Sequence, residues 1–147
     1  MKKLIIALLC LLMLCGCGSK ETEFDAEGCS KALDEAYKDM KVMDENELTV
    51  SFDLDTELFE EYFIKCASNE TEGKFYAIVK VDDANKQEAK SAMNAFFNVL
   101  ITRNSMYTPE VVKLYEDHVE TQVGNYLIYL VAEDTDAYLD IVKEYIK

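Results

Sequence analysis

The chain has no tryptophan, one proline, one histidine and five glycines, and its 15 basic residues face 29 acidic ones. Each shortage excludes something. A lone His118 leaves no second imidazole for a zinc site and no support for a Ser-His-Asp arrangement. No glycine-rich loop is present that would cradle a phosphate. The net charge of −14 makes nucleic acid, anionic lipid and anionic wall polymers poor partners, because each encounter starts with repulsion. Cations and cationic partners are the charge-compatible choice. No apolar run approaches the about 20 residues that a bilayer-spanning helix needs.

What is present begins with a leader. Lys2 and Lys3 form a positive start, residues 4–14 are apolar without interruption, and Leu14-Cys15-Gly16-Cys17 closes the segment. Such a short run fits a signal h-region. The closing tetrapeptide resembles the lipobox of bacterial lipoproteins, in which the cysteine is acylated and becomes the first residue of the mature chain. Cys17 is therefore the expected lipidation site and residues 1–16 the expected signal peptide. Cys15 departs mildly from the small residues usual at its position. One acyl chain anchors marginally, but the two or three expected on such a cysteine would hold the protein durably on the extracytoplasmic face of a membrane.

Without the leader, 13 basic residues face 29 acidic ones, a net charge of −16 on a chain long enough for one domain with its own core. Of the five cysteines, Cys10 and Cys15 leave with the leader and Cys17 carries lipid. Cys29 and Cys66 remain, and outside the membrane a bridge between them is chemically open. Cys66 also lies in an apolar stretch, where a buried thiol is as natural.

Residues 18–27 (GSKETEFDAE) are polar and aperiodic and read, with Cys17, as a flexible tether. From residue 28 a helical period runs through Leu33, Ala36, Tyr37, Met40 and Met43. Residues 48–54 alternate as a strand would, although Asp53 and Asp55 could instead cap short helical turns. Residues 62–68 and 74–81 read as a hairpin joined through Gly73. Asp82 and Asp83 offer capping carboxylates for the most secure helix, whose stripe is Ala89, Met93, Phe96 and Leu100. Pro109 suits the first turn of a short helix. Val119, Thr121 and Val123 alternate, Gly124-Asn125 signals a turn, and residues 126–132 are apolar throughout, as in a strand buried on both faces. Asp134 or Thr135 caps a last helix carrying Tyr138, Ile141, Val142 and Tyr145. The expected fold is α+β: an antiparallel sheet of about four strands from two hairpins, helices packed on one face, and an N-terminal helix, all within residues 28–147.

Tyr107-Thr108-Pro109-Glu110, Gly124-Asn125-Tyr126-Leu127 and the Val79–Asp82 strand end together resemble a family of Gram-positive lipoproteins whose shared domain has no assigned function. The likeness covers roughly residues 55–147. Relatives often carry Ala-Asp-Glu where this chain has Glu72-Gly73-Lys74, and a basic residue where Val123 stands. The resemblance implies fold and localisation and no mechanism.

The remaining motifs are weak. His118 sits among Glu116, Asp117 and Glu120, which a metal could join, but a solvent-facing histidine at a strand start is the simpler reading. Asp53, Asp55 and Glu57 have calcium-loop spacing, yet Leu58 and Ile64 stand where that loop needs glycine and glutamate. Most of the nine tyrosines are expected at the core or its edge, with hydroxyls reaching water. The expected function is a non-catalytic, membrane-anchored domain, without cofactor or metal, that binds a protein or envelope component. A small-ligand or cation-binding lipoprotein is the alternative.

Overall fold

The computed structural model describes residues 22–147; the leader, the lipidation site Cys17 and the first part of the tether lie outside the described residues. Five antiparallel strands form one sheet in the order β1-β2-β3-β5-β4. They are β1 (Met40–Val42), β2 (Glu61–Ala67), β3 (Phe75–Lys80), β4 (Val119–Val123) and β5 (Tyr126–Val131). The helices are α1 (Ala26–Tyr37), α2 (Lys86–Asn104), α3 (Pro109–Glu116) and α4 (Thr135–Glu144). The α+β class and both hairpins, β2–β3 and β4–β5, are as expected from the sequence.

Helices cover both faces of the sheet, not one. Phe75, Ala77 and Val79 of β3 and Leu127, Tyr129 and Val131 of β5 pack under α2 and α3. Tyr76 and Ile78, with Ile128 and Leu130, pack against α1 and α4 on the opposite face. Neighbouring strand residues point to opposite faces, and both strands are apolar at successive positions, so each face needs a layer of its own.

The fifth strand, β1, corrects the expectation that the first helix runs on to Met43. Helix α1 starts on Asp25, whose carboxylate accepts from the Gly28 N–H at 2.9 Å, and it ends at Tyr37. Lys38 and Asp39 both take positive φ, 53° and 50°, a costly pair for residues with side chains. They turn the chain onto β2, where Met40 pairs with Ala67 and Val42 with Lys65. Leu33 and Tyr37 thus serve one face of the sheet and Met43 the other.

Residues 48–54 are not a strand. Glu47–Ser51 form a π-helical turn that buries Leu48, and Asp55 caps the 3-10 turn Thr56–Leu58 by accepting from the Glu57 N–H at 3.0 Å. The alternation there arises because Leu48, Phe52 and Leu54 all reach the α2-side core from irregular backbone. The tether is also shorter than its composition suggests. Phe24 is buried, bridges Ile146 and meets Tyr126 edge-on at 5.1 Å, while Lys147 donates its N–H to the Glu23 carbonyl at 2.8 Å.

The α1 layer is fastened by a polar knot. The fully buried Tyr76 hydroxyl donates to Asp34 Oδ1 at 2.7 Å and lies 2.9 Å from the buried Ser30 hydroxyl. Lys65 of β2 holds the other oxygen of Asp34. On the opposite face, the equally buried Tyr129 hydroxyl has no hydrogen-bond partner among the described residues. The two tyrosines should therefore respond differently to loss of the hydroxyl. Tyr76→Phe leaves Ser30 and Asp34 short of a partner and should cost about 1–3 kcal/mol in urea unfolding. Tyr129→Phe removes only a desolvated, unpaired group and should be neutral or slightly stabilising. Equal losses in both variants would contradict this assignment.

Alkali should unfold the protein. An unfolded tyrosine loses its proton near pH 10, whereas burial holds Tyr37, Tyr76 and Tyr129 well above that. Above pH 10 the native chain therefore binds more protons than the unfolded one. Stability from these groups is complete below pH 10 and falls above it, by about 1.4 kcal/mol per pH unit for each group. The urea midpoint should be level near neutrality and drop steeply beyond pH 10; a midpoint unchanged at about pH 11 would contradict the burial of these hydroxyls.

Candidate functional site

Where the β1 edge meets the C-terminal end of α2, the α2 layer leaves a cleft of about 290 Å³. Its apolar lining comes from Met43, Phe52, Ala67 and Leu100, with Cys66 of β2 and Tyr115 of α3 beside them. Polar groups ring it: Lys41 of β1, Glu47 of the π-helical turn, Arg103 and Asn104 at the end of α2, and Thr108 before α3. Strand alternation puts Lys41 and Cys66 here, since they are register partners and share a sheet face.

Several of these groups are already committed. Lys41 pairs with Glu47 at 3.4 Å, and the Thr108 hydroxyl donates to Asn104 Oδ1 at 2.9 Å. Gly73 closes one wall in the left-handed conformation, φ 59°, and any side chain there would run into Leu114 and Val111 of α3.

Arg103 is the only arginine in the chain. Its guanidinium lies 4.3 Å from the Phe52 ring centre and donates to the Ser51 carbonyl. Among the described residues it forms no ion pair with a carboxylate, although the chain is rich in acids. A planar cation held over an aromatic ring keeps most of its five N–H donors for other acceptors. Just beyond it, Met106 and Tyr107 project into solvent, 81% and 83% exposed.

The residues singled out from sequence are scattered. His118 is half-buried, not solvent-facing: its ring stacks on Phe97 at 4.0 Å and 7°, and its Nδ1 donates to the Tyr115 carbonyl at 2.8 Å. It lines a shallower groove with Asn94, Asn98 and Glu116. Asp55 is a cap and Asp53 a turn residue with φ 54°. Among the described residues, no three His, Cys, Asp or Glu side chains are grouped to hold a metal ion. Tyr126 and Tyr129 serve opposite faces of the sheet, as their spacing requires, and Tyr138 and Tyr145 share the inner side of α4 and its end.

Of the two readings left open for Cys29 and Cys66, the structure fits the one without a bridge between them. Cys29 is fully buried on α1, against one face of the sheet, while Cys66 packs against the core on the other. A disulfide requires Cβ atoms roughly 4 Å apart; here the sheet lies between them, and they are not bonded. Burial, with a smaller contribution from Asp25, pushes the Cys29 thiol up to about 12. Maleimide at pH 8 should therefore spare Cys29 in the folded protein. In urea without reductant, it should label both cysteines, as read by peptide mass. Failure to label both in urea until reductant is added would restore the bridge.

Sequence reasoning passed over Arg103 and Met106, and used Tyr107 only as part of the family resemblance. The available signal was compositional: the single arginine of an acidic chain, placed in the last turn of its longest helix. No curated protein and no solved structure matches this chain. A family model does match, over residues 32–132, and it spans the five strands, α2, α3, the last part of α1 and the whole cleft lining, but not α4. The chain belongs to the family defined by the domain of unknown function DUF4358.

Proposed function

We propose that this protein is a lipid-anchored, extracytoplasmic domain that binds a protein or envelope component and performs no catalysis itself. The anchoring half of the reading rests on Cys17 closing its short apolar leader. No helix among the described residues is long and apolar enough to cross a membrane. The binding half rests on the cleft beside β1. It has an apolar floor, a polar ring and an exposed apolar shoulder, and such concave sites with a few placed polar groups are where proteins take up ligands.

The enclosed part of the cleft also favours a second reading, in which a small ligand is the whole cargo. Its volume falls at the lower end of the range for small-molecule sites. A cation, by contrast, finds no grouped ligands among the described residues.

Anchoring is tested by mass analysis of the protein recovered from membranes of a Gram-positive host. The expected mature N-terminus is an acylated Cys17, with Cys17→Ala losing both lipid and membrane retention. An unmodified N-terminus at another residue would overturn the anchor. Hydrolysis of a peptide, glycan or ester substrate by the purified protein, abolished by substituting one polar cluster, would overturn the non-catalytic reading.

A further inference from the structure

Three features around the cleft have nothing among the described residues that accounts for them. The first is Arg103, pre-positioned over Phe52 and on the Ser51 carbonyl, yet without a carboxylate among the described residues. In a protein of net charge −14 an uncommitted arginine is unexpected, since self-pairing is cheap wherever acids are plentiful. The second is the shoulder of Met106 and Tyr107, two large apolar side chains exposed side by side. A ligand contained within the cleft would leave most of that shoulder wet.

The third is the outer edge of β1. Ser68 donates to the Asp39 carbonyl and Met43 to the Ile64 carbonyl, which sets residues 39, 41 and 43 facing β2. The backbone N–H and C=O of Met40 and Val42 therefore point away from the sheet. Among the described residues nothing hydrogen-bonds them. An unpaired strand edge beside an apolar cleft is how proteins receive an extended segment, through backbone pairing plus a pocket for side chains.

We infer that the cleft receives a segment of a partner protein that presents a carboxylate beside an apolar side chain. This rests on the binding reading above and gives its partner a chemistry. The apolar side chain enters over Phe52 and Leu100, and the carboxylate meets the guanidinium of Arg103. Tyr107 and Met106 then close over the contact. Arginine, tyrosine and methionine are the residue types enriched at such contacts, where a few anchors carry most of the binding. Arg103 also gives so acidic a chain one point at which it attracts a carboxylate, while acids presented elsewhere on its surface are repelled.

A phage-displayed library of random linear peptides, panned against the purified protein, tests this. The expected winners carry Asp or Glu next to an aromatic or aliphatic residue. Their synthetic versions should lose about tenfold or more in affinity on Arg103→Gln. They should lose as much on the paired change Met106→Ser and Tyr107→Ser, which alters only exposed side chains. Converting the peptide's acid to its amide should weaken binding to the unaltered protein but not to Arg103→Gln. Winners without an acid, or affinities indifferent to Arg103, would overturn the inference while leaving a binding domain intact. Absence of any winner, together with an Arg103-dependent rise in melting temperature with benzoate or free glutamate, would assign the cleft to a small acid instead. Absence of both would overturn the inference and the binding reading together.

Discussion

Two adjacent strands that are apolar on both faces set the terms for this molecule. β3 and β5 bury almost every residue they have, so neither face of the sheet can be left to water. One helical layer cannot satisfy that demand. The chain meets it by sending α1 and α4 to one face and α2 and α3 to the other. At roughly 25 cal/mol per Å² of apolar surface, each layer contributes many times the net stability of a domain this size before chain entropy is subtracted.

The layers divide the work. On the α1 side, the knot of Tyr76, Ser30, Asp34 and Lys65 fixes the helix in register with β2 and β3. The bridging of Phe24 to Ile146 ties the start of the described chain to its end on that same side. A satisfied buried polar cluster of this kind specifies one arrangement and resists sliding. The α2 side is different. Its core is almost wholly apolar, and its outer end opens into the cleft. We read the first layer as scaffold and the second as the working face.

Much of the fold could be read from residues. The α2 stripe, Pro109 at the start of α3, the Gly124 turn and the Asp134 cap are local signals that tertiary structure did not override. The apolar run of β5 already implied burial on both faces, and the expectation of helices on one side did not follow that implication through. The failures share a cause. Residues 40–43 continue the helical period of α1, but the positive φ of Lys38 and Asp39 ends the helix, and no glycine marks the place. Residues 48–54 alternate, yet a π-helical turn delivers Leu48, Phe52 and Leu54 to the core. The cleft was hidden for a further reason: its lining comes from six stretches of chain, and no short motif spans them. Cys17 is the reverse case: the lipidation we propose for it is read from four consecutive residues that lie outside the described fold.

The central claim is that the end of α2 and the β1 edge form the face that meets a partner. A photoreactive phenylalanine placed at position 107 of the full-length protein, and irradiated in the cells that make it, measures this directly. The same probe at exposed Asp140 on α4, on the other side of the sheet, serves as the reference. The account predicts a discrete protein adduct in the membrane fraction from position 107 and none from position 140. Adducts of equal yield at both positions, or at 140 alone, would contradict it.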